Sequence, residues 1–524
     1  MKHLLPFTAL LPLPLLAQSP HANVLVSTQN APTETAICIN PKNTNELVAG
    51  ANTNNQYYSV DGGQTWTWRR LTSPYNVWGD PCVVVDTTGA FYYLHLSNPA
   101  AGSGSYAFPF IDRIQVQRAA TAAAPFSLRG FFGLNAPKQQ DKEWAAVDRR
   151  TNALYVTWSE FDSYGSISSR DSSRILFTRS FDQGLTWSTP KRISKRAGNA
   201  VDEDETVEGA VPAVGPSGEI YTAWAGPEGL VFNRSLDQGQ TWLPRERLLL
   251  PIPGGWDYSV AGVNRANGLP ITACDVSRGP HRGTIYVNWS DQRNGPSDTD
   301  VWLIRSEDGG QTWSAPARVN DDAPGRQQFF TWMTVDQATG YLWFVFYDRR
   351  SYSASLSDVR TDVYAARSTD GGRTFQNFRV SQSPFQPNGA TFMGDYTNIT
   401  AHNNVVRPVW TRLDGTVPSV WTALIDPTVL AGSLPRGATV RVQTYPNPAT
   451  TALNVAVQLP RTLPVTVELR SLDGRRLRTL VRQQSYPAGT QQLVLPVSEL
   501  PAGAYLLAVQ VGEEQQFRKV MVRH

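Results

Sequence analysis

Cysteine is nearly missing from this chain. Cys38, Cys82 and Cys274 are the three copies in 524 residues. An odd number in apolar, strand-like surroundings argues against a disulfide framework and reads as buried free thiols, with a Cys38–Cys82 bridge between neighbouring inner strands left open. Histidine is sparse as well. The six copies form no H-E-x-x-H and there is no paired cysteine spacing, so no metal and no cofactor is expected. The acidic run from Asp202 to Glu205 lacks the glycine-spaced loop of a dedicated calcium site and reads as a solvated loop. Neither a G-x-S-x-G elbow nor a phosphate-cradling glycine loop is present. The formal net charge of +3 is small for this length and no basic run stands out, which speaks against a nucleic acid or an anionic membrane surface as partner. After the first 17 residues no apolar stretch is long enough to span a membrane. Those first residues read Met-Lys-His, an apolar run from Leu4 to Leu16, then Ala17-Gln18, the layout of a secretory signal peptide over residues 1–17.

Tight-turn residues and aromatics are abundant, with 40 Gly, 37 Pro and 16 Trp, which suits an all-β chain of strands and turns. One octapeptide of the form S-x-D-x-G-x-T-W occurs from Ser59, Ser180, Ser235 and Ser306, and from Ser368 with a final Phe. Each copy lies between two strand-like runs, so its Asp and Gly sit where a tight turn needs a side-chain acceptor and a permissive backbone. Asp61, Asp182, Asp237, Asp308 and Asp370 are therefore read as structural turn residues, and Trp66, Trp187, Trp242, Trp313 and Phe375 as anchors of an outer strand. Ser59 and Ser180 lie 121 residues apart against 55 for Ser180 and Ser235, which makes room for one unit that has lost its box near Arg113.

Inner strands starting at Ala36, Cys82, Trp144, Ala210, Pro270, Thr331 and Asn398 count seven four-stranded units. The seventh is one strand short, and Asn23–Thr28 can supply that strand and close the ring. The repeats resemble those of the Asp-box (BNR-repeat) proteins, whose best-known members are the sialidases. That resemblance implies a sialidase-like β-propeller over residues 23–430 with the box turns on the face opposite the active site. Sialidase catalytic domains have six blades, so a six-bladed count is the alternative to seven. After a linker at 431–441 the texture changes to short strands with Pro and Gly turns, a small C-terminal β-sandwich over 442–524. Its Tyr445-Pro-Asn-Pro, Ser471-Leu-Asp-Gly-Arg-Arg-Leu and Leu500-Pro-Ala-Gly-Ala-Tyr-Leu-Leu-Ala-Val closely resemble the sorting domain of Bacteroidetes type IX secretion cargo. The resemblance implies the type IX secretion machinery as a partner and a secreted or cell-surface location.

In a propeller blade the loop after the second strand opens on the face away from the box, together with the loop leading into the next blade. Charged residues recur there: Glu160, Asp291 with Arg293, Asp348 with Arg350, Arg412, and, before the inner strands, Asp80, the Asp141-Lys142-Glu143 run, Glu208 and Asp395. Such a rim suits an extracellular glycan or glycoprotein. Arginine forks grip carboxylates bidentately, and a Tyr assisted by a carboxylate replaces the usual carboxylate pair in sialidase-type glycosidases. Carried onto this chain, the resemblance implies Asp80 as acid/base, Tyr396 as nucleophile, Glu143 or Glu160 as its partner, and Arg293 and Arg350 as anion-binding arginines, with Arg412 as a later recruit. Asp291, Asp348 and Asp395 complete the ligand-facing set. The family's first arginine precedes its first box, whereas residues 18–58 contain no arginine and Lys42 alone is cationic there. Ion pairing within the rim is the other reading of Asp291–Arg293 and Asp348–Arg350. Three functions stay open: a binding propeller for glycans or proteins, a sialidase-like exo-glycosidase for acidic glycans, and a non-catalytic assembly scaffold.

Overall fold

The computed structural model describes residues 19, 21–99, 111–425, 441–459, 463–472, 475–486, 489–511 and 514–524. The expected signal peptide lies outside the described residues, as does the expected linker apart from Arg441. Two compact units divide the chain at residues 433 and 434.

The first unit holds seven four-stranded antiparallel sheets. Blades 1 to 7 begin with the inner strands Thr33–Ile39, Gly79–Val85, Gln139–Val147, Glu208–Val214, Ile271–Cys274, Gln328–Val335 and Asn398–His402. These strands adjoin one another in that cyclic order, so the sheets form a closed ring about one axis. Ala22–Ser27 is the outermost strand of blade 7 and pairs with Val417–Leu424, Ala22 facing Leu424 and Ser27 facing Val420. A two-stranded ribbon, Asp257–Tyr258 with Ala266–Asn267, stands between blades 4 and 5.

Second strands are apolar on both faces because each is sandwiched between neighbouring blades. Leu154–Phe161 and Leu342–Asp348 are buried at every position. Trp158, Trp224, Trp289 and Trp410, all on second strands, are fully buried.

The five boxes share one hydrogen-bond pattern. Asp61 accepts from Ser59 Oγ at 2.8 Å, from Thr65 N at 2.9 Å and from Thr65 Oγ1 at 2.6 Å. Asp182, Asp237, Asp308 and Asp370 repeat this with Thr186, Thr241, Thr312 and Thr374. Gly63, Gly184, Gly239, Gly310 and Gly372 have φ of 89, 80, 85, 84 and 78°, where a side chain would be strained, and each donates its N–H to the box Ser Oγ. The preceding blade then holds the turn. Arg407 of blade 7 donates to Gly62 O at 2.7 Å, Arg305 of blade 5 to Gly372 O at 3.3 Å, and Arg179 and Arg234 reach Gln238 O and Gly309 O. Blade 2 has no box, and its outer strand Ser127–Phe132 meets the next box through its backbone, Gly130 N to Gly184 O at 2.7 Å.

The second unit is a sandwich of a three-stranded and a four-stranded sheet. Val455 and Val457 of the first face Val467, Leu507 and Val509 of the second in one buried core.

Candidate functional site

Five inner strands break register near their start, between Thr33 and Ala36, Gly79 and Cys82, Asp141 and Trp144, Glu208 and Val211, and Phe329 and Trp332. Each break is a β-bulge. Its first extra residue lies in the left-handed region: Glu34 at φ 51°, Asp80 at 48°, Lys142 at 48°, Gly209 at 75° and Phe330 at 48°. For a non-glycine residue that conformation costs on the order of 1–3 kcal/mol, and it recurs at functional sites. Here it brings Glu34, Asp80 and Lys142 from three blades onto the wall of one cavity of about 640 Å³.

Trp78, Phe161, Tyr164 and Phe392 supply the aromatic part of that wall, Asn52, Gln139 and Gln140 its amides, and Asp141 and Arg265 the remaining charges. Arg265 comes from the ribbon between blades 4 and 5. Its Nε donates to Asp395 Oδ1 at 2.8 Å, a second guanidinium nitrogen meets Asp395 Oδ2, and Nη1 donates to Asp202 Oδ2 at 2.9 Å. Tyr164 Oη donates to the same Asp202 oxygen at 2.5 Å. Lys142 Nζ lies 3.0 Å from Asp395 Oδ2 and 4.0 Å from Asp80 Oδ2. Asn52 joins blades 1 and 2 by donating to Glu34 Oε2 and accepting from Asp80 N at 2.7 Å.

Protonation divides these acids. Burial alone raises the Asp395 carboxyl, but the charges of Lys142 and Arg265 outweigh it and hold the group down at about 2. Burial pushes Asp141 up to about 8, with Lys142 opposing and Asp80 and Asp202 reinforcing. Glu34 is raised well above the usual carboxylate range by burial and then by Asp80 and Asp395. Glu143 and Glu208 are raised by burial, with Asp80 and Asp202 respectively the largest added charge effects, and neither carboxyl has a hydrogen-bond partner among the described residues.

Below the cavity an aromatic floor closes the ring axis. Trp144 of blade 3 meets Trp332 of blade 6 at 4.4 Å between ring centroids and Tyr396 of blade 7 at 5.1 Å. Both tryptophans also border the space of about 280 Å³ between the inner strands. Burial pushes the Tyr396 phenol well up, Asp80, Glu34 and Glu143 add to the shift, and its hydroxyl has no hydrogen-bond partner.

Of the residues singled out in the sequence, the structure brings together Asp80, Glu143, Asp395 and Tyr396. Glu160 stands apart, taken up by Arg174 Nη1 at 2.8 Å, Asn135 Nδ2 at 3.0 Å and Lys138 Nζ at 3.4 Å. Arg293, Arg350 and Arg412 do not line the cavity. Arg293 closes on Asp291 at 2.6 Å over the Trp302 ring, and Arg350 closes on Asp348 at 2.8 Å, contacts Asp321 and covers Tyr364. Arg412 takes Asp414 at 2.6 Å and Ser383 Oγ at 2.9 Å. The physical reason is local: an arginine two residues beyond, or before, an aspartate at a strand end folds back onto it within the same tight loop. Asp291 and Asp348 are accordingly fully buried beneath their own arginines rather than turned to a ligand. Sequence reading missed Glu34, Arg265, Asp202 and Tyr164 as members of the site. The signal for Glu34 was its place two residues before Ala36, the place that Asp80 and Lys142 hold before Cys82 and Trp144.

Residues 57–67 match the family described as BNR/Asp-box repeat, and residues 443–523 match the secretion system C-terminal sorting domain. Among solved structures, the chain is similar to the Trypanosoma rangeli sialidase in complex with sialic acid, with 13% identity, 86% of this chain and 84% of that one covered, and a TM-score of 0.43. A Penicillium chrysogenum α-L-arabinanase shares 13% identity over 67% of this chain and 98% of its own, at a TM-score of 0.39. A Dyadobacter fermentans protein of unknown function shares 12% over 64% and 95%, at 0.41. Among the described residues no helix is long and apolar enough to cross a membrane. The chain is a β-propeller that carries a match to the BNR/Asp-box repeat, and its tail is a sorting domain for type IX secretion to the cell surface or beyond it.

Proposed function

We propose that the propeller is a secreted glycan-binding protein and that the cavity at its mouth is the saccharide site. The observation that carries this reading is the composition of one wall. Aromatic faces (Trp78, Phe161, Phe392) alternate with amides and carboxyls (Asn52, Gln139, Gln140, Glu34, Asp80) around about 640 Å³, within the size range of ordinary ligand pockets. Aromatic faces take the C–H side of a sugar ring, and amides and carboxyls take its hydroxyls. The test is binding of a panel of neutral, acidic and amino oligosaccharides to the full chain beside Trp78→Ala. Loss of binding in the variant supports the cavity. No binding to any member by the parent refutes it and moves the weight to a docking scaffold.

A second reading, a glycoside hydrolase, is favoured by the divided protonation of the same wall. Asp141, up at about 8, keeps a transferable proton at neutral pH, while Asp80 has Lys142 at 4.0 Å as its ionic partner and is the candidate base. Asp395 is occupied by Arg265 and Lys142 and would act through its field. The reading leaves Tyr396 in the floor and not as the nucleophile. Turnover of fluorogenic glycosides that is abolished by Asp141→Asn and by Asp80→Asn supports it, and unchanged turnover in both removes it.

A further inference from the structure

Carboxyls at the mouth outnumber the cations beside them. Lys142 and Arg265 are the positive groups of the cavity wall, and both are engaged, Lys142 by Asp395 at 3.0 Å and Arg265 by Asp395 and Asp202. Glu34 and Asp141 line the same wall with no salt bridge among the described residues. Glu143 and Glu208, buried beside them, have both carboxyl oxygens without a hydrogen-bond partner. A buried carboxyl with no cation to answer it keeps its proton. Glu34 and Asp141 are therefore acids of the wall whose charge is withheld. One neutral donor is also open, since the Gln140 side-chain nitrogen has no partner in a residue that is 1% exposed and lines the cavity.

A small inorganic cation is a poor answer to this arrangement. Among the described residues no three His, Cys, Asp or Glu side chains converge as metal ligands. The acids are spread over the wall of about 640 Å³ with Trp78, Phe161 and Phe392 between them. A cation that carries its charge on a carbon skeleton fits better, because its ring can lie on the aromatic faces while its ammonium stands among the carboxyls. We propose that the ligand of the mouth is a cationic amino sugar, a glycan unit with a free protonated amine, placed opposite Glu34 and Asp141, neither of which Lys142 or Arg265 bridges. This rests on the saccharide reading of the cavity and narrows it.

Binding then carries a proton signature. When the ammonium arrives, a carboxyl of the Glu34–Asp141 wall ionises, its proton passes to the buffer, and the amine keeps its own. No covalent bond changes. One proton released per ligand makes the affinity rise roughly tenfold per pH unit while the amine stays protonated. The groups that set this response are Asp80, Asp395 and Lys142 around Glu34, and Lys142, Asp80 and Asp202 around Asp141, with Arg265 acting on Lys142, Asp395 and Asp202.

The test is titration calorimetry of the full chain with a β-1,4-glucosamine tetramer, its fully N-acetylated counterpart, a neutral cello-oligosaccharide and a sialyl-oligosaccharide. Two pH values, 5.5 and 6.5, and two buffers of different ionisation enthalpy report the proton. We expect the amine tetramer to bind at least ~10-fold tighter than the acetylated one, the worth of one pKa unit of differential interaction, and to release a proton. Glu34→Gln and Asp141→Asn should each reduce that preference. The wild-type pH dependence stands as a check should either variant fold poorly. Equal or tighter binding of the acetylated or neutral sugar, a preference for the sialyl probe, or no proton release would overturn the inference while leaving the saccharide site intact. Displacement of the amine tetramer by millimolar calcium would overturn it in favour of a metal site. Failure of every oligosaccharide to bind would remove the saccharide site itself.

Discussion

Arg265 is the most informative residue to remove. Its guanidinium links Asp395 before blade 7 to Asp202 before blade 4 and lies over the Phe392 ring at 5.5 Å. Asp395 is buried and held at about 2 against an ordinary value of ~3.9, a difference of roughly 2–3 kcal/mol supplied jointly by Lys142 and Arg265. Since Lys142 remains at 3.0 Å, Arg265→Gln is expected to remove about half of that and to leave part of the burial penalty unopposed. The predicted loss is ~1–3 kcal/mol at pH 7.5. The sign with pH discriminates. In the parent, the depressed Asp395 contributes stability that is complete above its unfolded value and is lost as pH falls through about 2. In the variant about half of that depression is gone, so Asp395 contributes less, and the two proteins converge as pH falls through the interval between its ordinary ~3.9 and about 2. Glu34 and Asp141 carry raised values in both proteins, and their own pH dependence largely cancels in the difference. Urea unfolding followed by tryptophan fluorescence at about pH 7.5, 5, 3.5 and 2.5 should show a gap between parent and variant that is steady down to about pH 4 and narrows below it. A gap that stays constant with pH would mean that Arg265 acts through packing on Phe392 alone, and the electrostatic account of the mouth would be wrong.

Four further substitutions probe the scaffold. A Cβ on Gly130 would stand 2.5 Å from Leu185 O and 2.9 Å from Gly184 O, both backbone atoms; Gly130→Ala should lower stability by ~2–4 kcal/mol through overpacking and loss of the bond to Gly184. Gly389→Ala, whose nearest neighbour is at 3.7 Å, should change the urea midpoint little. Asp370→Ala removes the acceptor of Ser368 Oγ, Arg373 N, Thr374 N and Thr374 Oγ1 and should cost ~1–2 kcal/mol, as loss of a side-chain cap does, with saccharide binding on the opposite face unchanged. Trp144→Ala takes away the floor beneath the mouth and should cost ~3–5 kcal/mol, read as a fall in thermal midpoint.

Much of the fold was legible because the box is a local device. Its Ser, Asp, Gly and Thr bond to one another within one turn, so the motif carries its own structure and its copies mark the blades. The second blade was legible by interval alone, and the structure explains how it manages without a box: the backbone of Gly130 does for the next box what Arg179, Arg234, Arg305 and Arg407 do elsewhere. The stretch from Asp202 to Ala261 was harder. It combines an acidic loop, blade 4 and the start of a ribbon whose strands are two residues long, too short to show any periodicity. Arg265 lies in that ribbon and reaches its partner 130 positions away, a pairing that no local pattern announces.

The site was less legible than the fold because its residues owe their place to a backbone irregularity. In a regular strand, Glu34 and Thr35 would project to opposite faces and Glu34 would have no fixed relation to Asp80 and Lys142. The bulge adds a residue, turns the chain through a positive φ and presents the same register position of three blades to one cavity. Asp80 and Lys142 stood out in the sequence as charged residues leading into a blade, whereas Glu34, at the same position of blade 1, did not. The Asp-x-Arg pairs of blades 5 and 6 looked functional for the opposite reason, since two opposite charges at a strand end are conspicuous in sequence and yet satisfy each other at 2.6 and 2.8 Å. A conspicuous pair that is close in sequence completes itself. The charged residues that meet at the mouth are placed instead by the inner strand, with Glu34, Asp80 and Lys142 each two residues before Ala36, Cys82 and Trp144, and that position is the pattern by which the site can be read in another chain of this architecture.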